Sequence, residues 1–402
     1  MEIEDRLSCF KINKIYWKIL GIYPDTSKNL YLSIYSRAFV FIFILGYDIL
    51  YTINLFFIPR QLDVFIEQMI LYLTILVVSS KVLCFIFMEK KIMKLLTILE
   101  SDLFKTDNEM ERQILRKANK FNVKSWKIYA IVSYISNLTH VSSPFIIHLL
   151  FSGKLEPPVC GYDFLSDDTK QRFIYPIYFY QSIGMHFHML NNVNVDTFIL
   201  GLMIFLIAQL DILQMKMKNI TDQSSFLREE PDDETSGIEP KKSVIDTILK
   251  LNKALVHYQD VTEYCYLIED VFSKALFTQF SIASGIICVC LYRFTLPAPW
   301  QYYIFLTSYM AIMIVQILIP CWFGTRIMDK STLVSQAIYQ CDWTSQSGRF
   351  KSSVRLFMER AQRPLTITGW KMFLLSLSTF TSIMNSAYSF FTLLRHIQTR
   401  ED

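Results

Sequence analysis

The sequence predicts an all-α membrane protein with seven transmembrane helices and a cytoplasmic amino terminus, and three observations support this prediction. Hydrophobic residues make up 52% of the 402 residues, charged residues only 19%, and the mean hydropathy is positive. The apolar residues are gathered in seven long blocks, which is typical of membrane-spanning helices and not of a soluble domain. Lys and Arg are divided unequally between the segments that separate the blocks, and this sets the orientation of the chain.

Each of the seven blocks reaches the roughly 20 apolar residues that a helix needs to cross the hydrocarbon core. Several blocks are longer, so we expect those helices to tilt or to continue beyond the bilayer. In chain order the blocks are about Ser33–Ile58, Ile66–Met88, Trp126–Phe151, the later part of Tyr175–Met215, Asp270–Tyr292, Trp300–Ile327 and Thr366–Leu394.

The basic residues place the amino terminus in the cytoplasm. The amino-terminal segment and the segments after the second, fourth and sixth blocks together contain 28 of the 40 Lys and Arg residues, whereas the segments on the other side contain 7. By the positive-inside rule, the richer side is cytoplasmic and the carboxyl terminus is external. G-protein-coupled receptors also have seven helices, but their amino terminus is external, so the charge distribution argues against that class.

Charge within a membrane helix is costly and therefore indicates a specific role, and five charged residues of the predicted helices are candidates for one. We expect Lys81 and Lys274 to extend their amines toward an interface. Asp196 and Asp211 are expected where the fourth helix continues into the cytoplasm. Asp48, in the first block, is the fifth.

Two cytoplasmic segments have patterns of their own. After the second block, Ile92, Leu95, Leu99 and Leu103 continue an apolar helical face. The segment Thr221–Ser243 is acidic and rich in Pro and Ser, which predicts a disordered linker.

The segment Gly348–Arg363 combines a helical apolar pattern with basic residues, and Pro364 ends or kinks it before the last block. One interpretation is a juxtamembrane helix that contacts anionic lipid. The other is a cytoplasmic helix that packs against the rest of the protein and holds the last span in place. Its apolar residues are Phe350, Val354, Phe357, Met358 and Ala361.

The sequence contains no pattern that predicts an enzyme, a cofactor or a metal site. No phosphate loop, nucleophile motif or pair of catalytic carboxylates is present, and the basic segments flank membrane helices, which does not indicate nucleic acid. His186 and His188 point in different directions on a helix and have no cluster of acids or cysteines beside them. We expect the eight scattered cysteines to be free thiols, with a disulfide from Cys160 to Cys288 or Cys290 as the alternative.

Three stretches resemble the insect odorant receptor family. Arg349–Phe380, which contains "RAQRPLTITGW", resembles the basic signature that precedes the last helix of that family. Ile12–Pro24, "INKIYWKILGIYP", is similar to its amino-terminal "W..LG..P" element, and Tyr175–Ser182, "YPIYFYQS", to the aromatic stretch before its fourth helix. Gustatory receptors usually carry "TY.....QF" in the last helix, and "SAYSFFTLLRHIQ" departs from it. The shared co-receptor of the family is longer, so the chain looks like a ligand-tuning subunit.

The resemblance implies a function and partners. It implies an odorant-gated, non-selective cation channel that assembles as a heterotetramer with the odorant receptor co-receptor (Orco), in the dendritic plasma membrane of an olfactory sensory neuron. The ligand would be a small volatile odorant or pheromone, and membrane lipid would be the other partner. Two alternatives remain at this point: a gustatory receptor-type channel, or a non-channel seven-helix receptor or transporter.

The resemblance also implies an organisation in which the cytoplasmic ends of the fourth to sixth helices form an anchor with the first part of helix seven. The expected regions are a cytoplasmic amino-terminal segment (1–32), helices one to four with the outer ligand-binding half (33–218), a flexible cytoplasmic loop (219–245), helices five and six with the anchor helices (246–365), and the pore-lining helix seven with a short external tail (366–402).

In this family odorants bind in the outer half of the bundle, among helices two, three, four and six. The corresponding faces here are mostly apolar and aromatic, which suits a small volatile molecule. The expected ligand-binding residues are Met69, Tyr72, Leu73, Leu76, Asn137, His140, Val141, Tyr180, Phe187, Leu190, Asn191, Tyr302, Tyr303, Leu306, Tyr309 and Met310.

Similarity to the family's last helix places Leu393 and Ile397 at the positions of a hydrophobic pore gate. They are four residues apart, so they share one face of a helix. A narrow apolar ring can stop ions by dewetting. In the alternative interpretation, Leu393 packs against the fifth helix or against lipid.

Overall fold

The computed structural model describes residues 8–22, 30–58, 62–101, 104, 106, 108–151, 154–221, 239–297 and 300–401. Most of these residues are helical, and the strands among them form one short hairpin. A helical turn, Ser8–Phe10, begins the described chain, and a π-helical turn, Phe41–Leu45, joins the second helix to the third. The α-helices are α1 (Lys11–Ile19), α2 (Leu30–Val40), α3 (Gly46–Leu55), α4 (Leu62–Phe87), α5 (Glu89–Glu100), α6 (Glu109–Phe151), α7 (Asp167–Arg172), α8 (Ile174–Lys218), α9 (Glu239–Arg293), α10 (Trp300–Tyr339), α11 (Gly348–Ala361) and α12 (Leu377–Glu401).

The seven apolar blocks correspond to the α2–α3 segment, α4, α6, α8, α9, α10 and α12. In the described part of the chain, five helical segments are long and apolar enough to cross a membrane by length and composition. They are Ser33–Leu55, Val64–Phe87, Ile174–Lys218, Ile245–Arg293 and Tyr302–Tyr339. The helices α6 and α12 are not among these five segments. They contain many hydroxyl and amide side chains, which lower their hydropathy.

Three helices extend well beyond a bilayer, as the long apolar blocks predicted. Helices α8, α9 and α10 contain 45, 55 and 40 residues, so each is about 60–80 Å long, against about 30 Å for a hydrocarbon core. Helix α8 packs against α6 and α10, and α9 packs against α4 and α12. In the later part of α8, Asp211 forms an ion pair of 2.6 Å with Lys330 of α10.

Helix α9 begins within the predicted flexible loop 219–245. Its first residue is Glu239, and Pro240 occupies the first turn, where a proline sacrifices no intrahelical hydrogen bond. The last residues of that predicted loop are therefore helical. Residues 222–238 lie outside the described part of the chain.

The amino-terminal helix α1 is held against α8 by aromatic and amide side chains. The Trp17 ring is fully buried and lies edge-on to Phe198 at 4.7 Å between ring centroids. The Asn13 Nδ2 donates a hydrogen bond of 2.7 Å to Asn194 Oδ1. After α1 the chain turns through Gly21, whose φ of +68° favours glycine. Pro24 of the same motif lies outside the described residues.

Helix α5 continues α4 after a break at Met88. Its side chains Ile92, Leu95 and Leu99 are buried, which confirms the predicted apolar face for these three positions. Leu103, the fourth predicted position, lies outside the described residues.

Helix α11 packs its apolar face against the long helices. Phe350, Val354, Phe357 and Ala361 are buried, and the Phe357 ring lies edge-on to Tyr258 of α9 at 5.0 Å. The basic residues between them remain on the outer surface. This arrangement agrees with the packing interpretation of Gly348–Arg363.

The seventh apolar block does not form one helix from Thr366, and the prediction is corrected here. The chain first forms an antiparallel hairpin of strands β1 (Thr368–Gly369) and β2 (Phe373–Leu374). The Phe373 ring stacks on Phe280 of α9 at 5.3 Å. Helix α12 then begins at Leu377, because the Ser376 Oγ accepts a hydrogen bond of 3.2 Å from the Thr379 backbone nitrogen and caps the first turn.

Candidate ligand-binding site

An internal cavity of about 140 Å³ lies between α3, α4, α6, α8 and α10. Most of its wall is apolar. In the described part of the chain, no Asp, Glu, Lys or Arg lines it. Such a cavity suits a small, uncharged molecule with few polar groups. The polar residues that line it are Tyr47, Thr74, Ser133, Ser136, Asn137, His140, His188, Asn192, Tyr309 and Gln316.

The roof of the cavity is a segment of the loop between α6 and α7, and two glutamines hold it. Val159 lines the cavity. The Gln181 Oε1 accepts a hydrogen bond of 3.1 Å from the Val159 backbone nitrogen, and its Nε2 donates one of 2.8 Å to the Cys160 carbonyl. The Gln68 Nε2 donates to the Val159 carbonyl at 3.1 Å. These bonds satisfy the buried backbone and fix the roof over the cavity.

The cysteines are all free thiols, as the scattered spacing predicted, so Cys160 forms no disulfide with Cys288 or Cys290. Cys160 lies buried in the outer loop. Its loss of contact with water raises the pKa of the thiol to about 12, because burial disfavours the charged thiolate. The thiol therefore stays protonated at neutral pH.

The two histidines of the "HFH" stretch have separate partners. The His188 Nε2 lies 3.1 Å from Asp48 Oδ1, and its Nδ1 lies 2.9 Å from the Gly184 carbonyl oxygen. The His186 Nδ1 lies 3.3 Å from Asn137 Oδ1. No group of three potential metal ligands is found among the described residues. Asp48, a charged residue of the first span, thus has a buried partner in the cavity wall.

The floor of the cavity rests on a buried network of charged and polar side chains. The Lys81 Nζ lies 2.5 Å from Asp196 Oδ1 and donates to Asn192 Oδ1 at 2.7 Å. The Tyr129 hydroxyl donates to the other Asp196 oxygen at 3.0 Å, and the Gln316 Nε2 donates to Tyr129 at 2.8 Å. The Lys81 side chain is only 1% exposed. The sequence predicted that Lys81 extends to an interface, and this prediction is wrong. The Lys81 amine is paired inside the bundle.

Three of the predicted ligand-binding residues, Asn137, His140 and Tyr309, line the cavity together. The His140 Nε2 lies 2.9 Å from the Pro158 carbonyl oxygen of the roof. The Tyr309 hydroxyl forms a short hydrogen bond with the Thr74 hydroxyl across the cavity wall.

The other predicted residues do not line this cavity. Several are engaged with protein groups: the Tyr180 hydroxyl donates to the Ile42 carbonyl at 3.0 Å, and the Tyr303 hydroxyl donates to the Leu296 carbonyl at 2.8 Å. The residues outside the cavity lining are Met69, Tyr72, Leu73, Leu76, Val141, Tyr180, Phe187, Leu190, Asn191, Tyr302, Tyr303, Leu306 and Met310. Binding at these positions stays a prediction.

The predicted residues and the residues that line the cavity differ in their position around each helix and along it. Each residue turns an α-helix by about 100°. On α4 the lining residues Leu71, Thr74, Ile75 and Val78 are two positions beyond the predicted set, and on α8 His188 and Asn192 are one position beyond. On α10 the predicted residues run from Tyr302 to Met310, whereas the lining residues run from Tyr309 to Gln316.

Leu393, the first predicted gate residue, lies on the exposed side of α12. Its side chain is 54% exposed within this chain. Ala387 is fully buried on another side of the same helix. The Ile397 side chain lies outside the described part of the chain.

The architecture is that of a multi-pass membrane protein built from seven helices. The chain belongs to the family described as 7tm Odorant receptor, whose sequence profile matches residues 61–388. This family is one of receptors and not of enzymes, and the match favours the odorant receptor interpretation over the gustatory alternative.

Individual relatives agree with this assignment. Odorant receptor 46a, isoform A, of Drosophila melanogaster is 24% identical over 244 residues, which cover 60% of each chain. Putative odorant receptor 85d of the same fly is 26% identical over 36% of this chain and 35% of the relative. The alignments thus span about one third to three fifths of these relatives. The solved structure of olfactory receptor OR5 from Machilis hrabei in complex with eugenol has the same fold, with a TM-score of 0.78 over 98% of this chain and 99% of that one, at 18% identity.

Proposed function

We propose that this chain is a ligand-tuning odorant receptor subunit. It binds a small, neutral volatile odorant or pheromone in the outer cavity and opens a non-selective cation channel, formed as a heterotetramer with the odorant receptor co-receptor in the plasma membrane of an olfactory neuron dendrite. The observation that carries the proposal is the uncharged cavity of about 140 Å³ in a chain of this family. The OR5 structure with eugenol supports a small organic ligand.

The orientation is part of the proposal. The excess of basic residues in the amino-terminal segment and the alternate loops supports a cytoplasmic amino terminus and an external carboxyl terminus.

The proposed function is tested by expressing the chain with the co-receptor and recording currents under an odorant panel. Ser136 lines the cavity from α6, so Ser136→Phe fills part of it and is expected to lower the sensitivity to every active odorant by about tenfold or more. Thr139 is exposed on the same helix, and Thr139→Phe is the matched control. An epitope tag at the carboxyl terminus, stained in intact cells, measures surface delivery and checks the orientation.

Three outcomes would contradict the proposal. A current that no odorant in the panel changes would refute gating by odorants, and the absence of any current would refute the channel function. Equal dose–response curves for Ser136→Phe and Thr139→Phe at matched surface levels would place the ligand outside this cavity. A tag that stains only after permeabilisation would reverse the orientation.

The gate is a second part of the proposed function. Leu393 lies on the exposed side of α12, and a ring of such residues around a pore would exclude water. Leu393→Ser is therefore expected to raise the ligand-free current or to change cation permeability. Whole-cell recording at matched surface expression measures both.

The matched control is Tyr388→Ser, because Tyr388 is similarly exposed but lies on another side of α12. If Leu393→Ser leaves resting current and ion selectivity unchanged, Leu393 does not line the pore. Equal effects of the two variants would also count against a specific gate position.

A further inference from the structure

We infer that the floor of the cavity binds an oxygen atom of the ligand through the Asn192 amide, so that the ligand class is small neutral molecules with a hydrogen-bond-accepting oxygen, such as ketones, aldehydes, esters and alcohols. This inference rests on the proposed function and specifies its ligand. It follows from the directions of the hydrogen bonds below the cavity, which determine which end of each amide is turned toward the ligand.

The orientation of the Asn192 amide is fixed by Lys81. An ammonium group can only donate hydrogen bonds, so the Asn192 atom that lies 2.7 Å from the Lys81 Nζ must be the carbonyl oxygen. The Nδ2 of the amide is therefore turned away from Lys81. Asn192 lines the cavity, and no other residue in the described part of the chain accepts a hydrogen bond from this nitrogen.

The same reasoning fixes Gln316 on the neighbouring wall. The Asp196 carboxylate is an acceptor, so Tyr129 donates its proton to it at 3.0 Å. The Tyr129 oxygen must then accept the second hydrogen bond, which comes from the Gln316 Nε2 at 2.8 Å. Gln316 is left with its side-chain carbonyl oxygen as an acceptor, and both Gln316 and Asn192 line the cavity.

The network also keeps formal charge out of the cavity. Lys81 and Asp196 neutralise each other at 2.5 Å, and neither lines the cavity. Of the network residues named above, the two that line the cavity are Asn192 and Gln316, and both carry neutral amides. A neutral ligand oxygen can accept from the Asn192 Nδ2, and an alcohol can also donate to Gln316. A hydrocarbon leaves the amide unsatisfied in an apolar wall, which is unfavourable.

Tyr47 provides independent support for a ligand with oxygen. It lines the cavity from α3 and is only 2% exposed. Its buried hydroxyl has no hydrogen-bond partner in the described part of the chain. Buried polar groups in native proteins are normally satisfied, so a second polar site in the same cavity agrees with a ligand that carries oxygen.

The test uses the purified full chain in lipid nanodiscs, so that binding is measured without channel activity. The probes are methyl pentyl ketone, heptanol and octane, which have equal numbers of non-hydrogen atoms, together with their shorter and longer homologues. The half-maximal concentration for thermal stabilisation is expected to be about tenfold or more lower for the ketone and the alcohol than for the alkane. Asn192→Leu is expected to remove this preference while octane still binds. Asn252→Leu, at an exposed position of α9, is the matched control.

The outcomes separate this inference from the proposed function. If ketone and octane bind equally to the wild-type chain, and Ser136→Phe abolishes the binding of both, the ligand binds in the cavity but the inferred preference for oxygen is wrong. A ketone preference that persists in Asn192→Leu would assign the donor to another group. If Asn192→Leu does not fold, the comparison of ketone with alkane on the wild-type chain still tests the inferred ligand class. Binding of no member of the series would contradict the inferred ligand class, whereas unchanged binding in Ser136→Phe would contradict the cavity itself.

Discussion

Replacing Lys81 with methionine is expected to destabilise the folded chain by about 3–5 kcal/mol, because it leaves the Asp196 carboxylate without its cation inside the bundle. The Lys81 side chain is 1% exposed and that of Asp196 is 16% exposed, so water can replace the lost cation only in small part. Thermal unfolding of the purified protein and surface expression measure the effect.

A matched control comes from a lysine on the protein surface. The pair Lys94–Glu263 has a similar distance, 2.9 Å, but both side chains are more than half exposed. Lys94→Met should therefore cost less than about 1 kcal/mol. Equal effects of the two substitutions would show that the buried pair carries no special role.

The double variant Lys81→Met with Asp196→Leu separates an unpaired charge from a loss of packing. Replacing a buried ion pair by apolar residues is often tolerated, so the double variant is expected to recover most of the stability that Lys81→Met loses. A double variant as unstable as Lys81→Met would attribute the loss to packing, or to the hydrogen bonds that Asp196 accepts from its neighbours.

The Lys81–Asp196 pair illustrates what the sequence could not reveal. The two residues are 115 positions apart, and each is visible only as an isolated charge in an apolar block. The blocks themselves were predictable, because crossing a bilayer demands a certain length of apolar chain. Which charges meet depends on how the helices are rotated against each other.

The rotation of each helix about its axis also explains why the sequence indicated which helices surround the cavity but not which of their residues line it. A helix that is apolar on all sides has no periodic signal to mark its inner face. On α6 the polar residues Asn137 and His140 interrupt the apolar pattern, and both line the cavity. On α4 the predicted residues lie two positions before the lining residues Leu71 and Ile75, and Thr74 is the polar residue on the lining face.

The start of the last helix was missed for a different reason. The hairpin residues Phe373 and Leu374 are as apolar as the helix that follows, so composition does not separate the two. The available signal was local: Gly369 and the Ser376 cap both favour an interruption. Hydropathy alone therefore overestimates the length of this helix.

Gly324→Ala is expected to destabilise the protein by roughly 3 kcal/mol, because it overpacks the contact between α10 and the residue that follows the hairpin. A Cβ at this position would overlap the Leu375 carbonyl oxygen and lie 2.7 Å from the Leu375 Cβ. Leu375 is 1% exposed, and its backbone nitrogen is bonded to the Ile367 carbonyl at 2.9 Å. The backbone is thus fixed from both sides and cannot move away cheaply.

The consequence should extend to α12, because a hydrogen bond next to this contact holds the first residue of that helix. The Thr325 Oγ1 accepts from the Leu377 backbone nitrogen at 3.0 Å. Displacing Leu375 would change where α12 starts, so the folded fraction of Gly324→Ala should show altered resting or ligand-evoked current. Gly285→Ala is the matched control, because a Cβ there meets no heavy atom within 4 Å and alanine favours a helix by up to about 1 kcal/mol. Similar stability and currents for the two variants would mean that the close approach of α10 to Leu375 does not position the last helix.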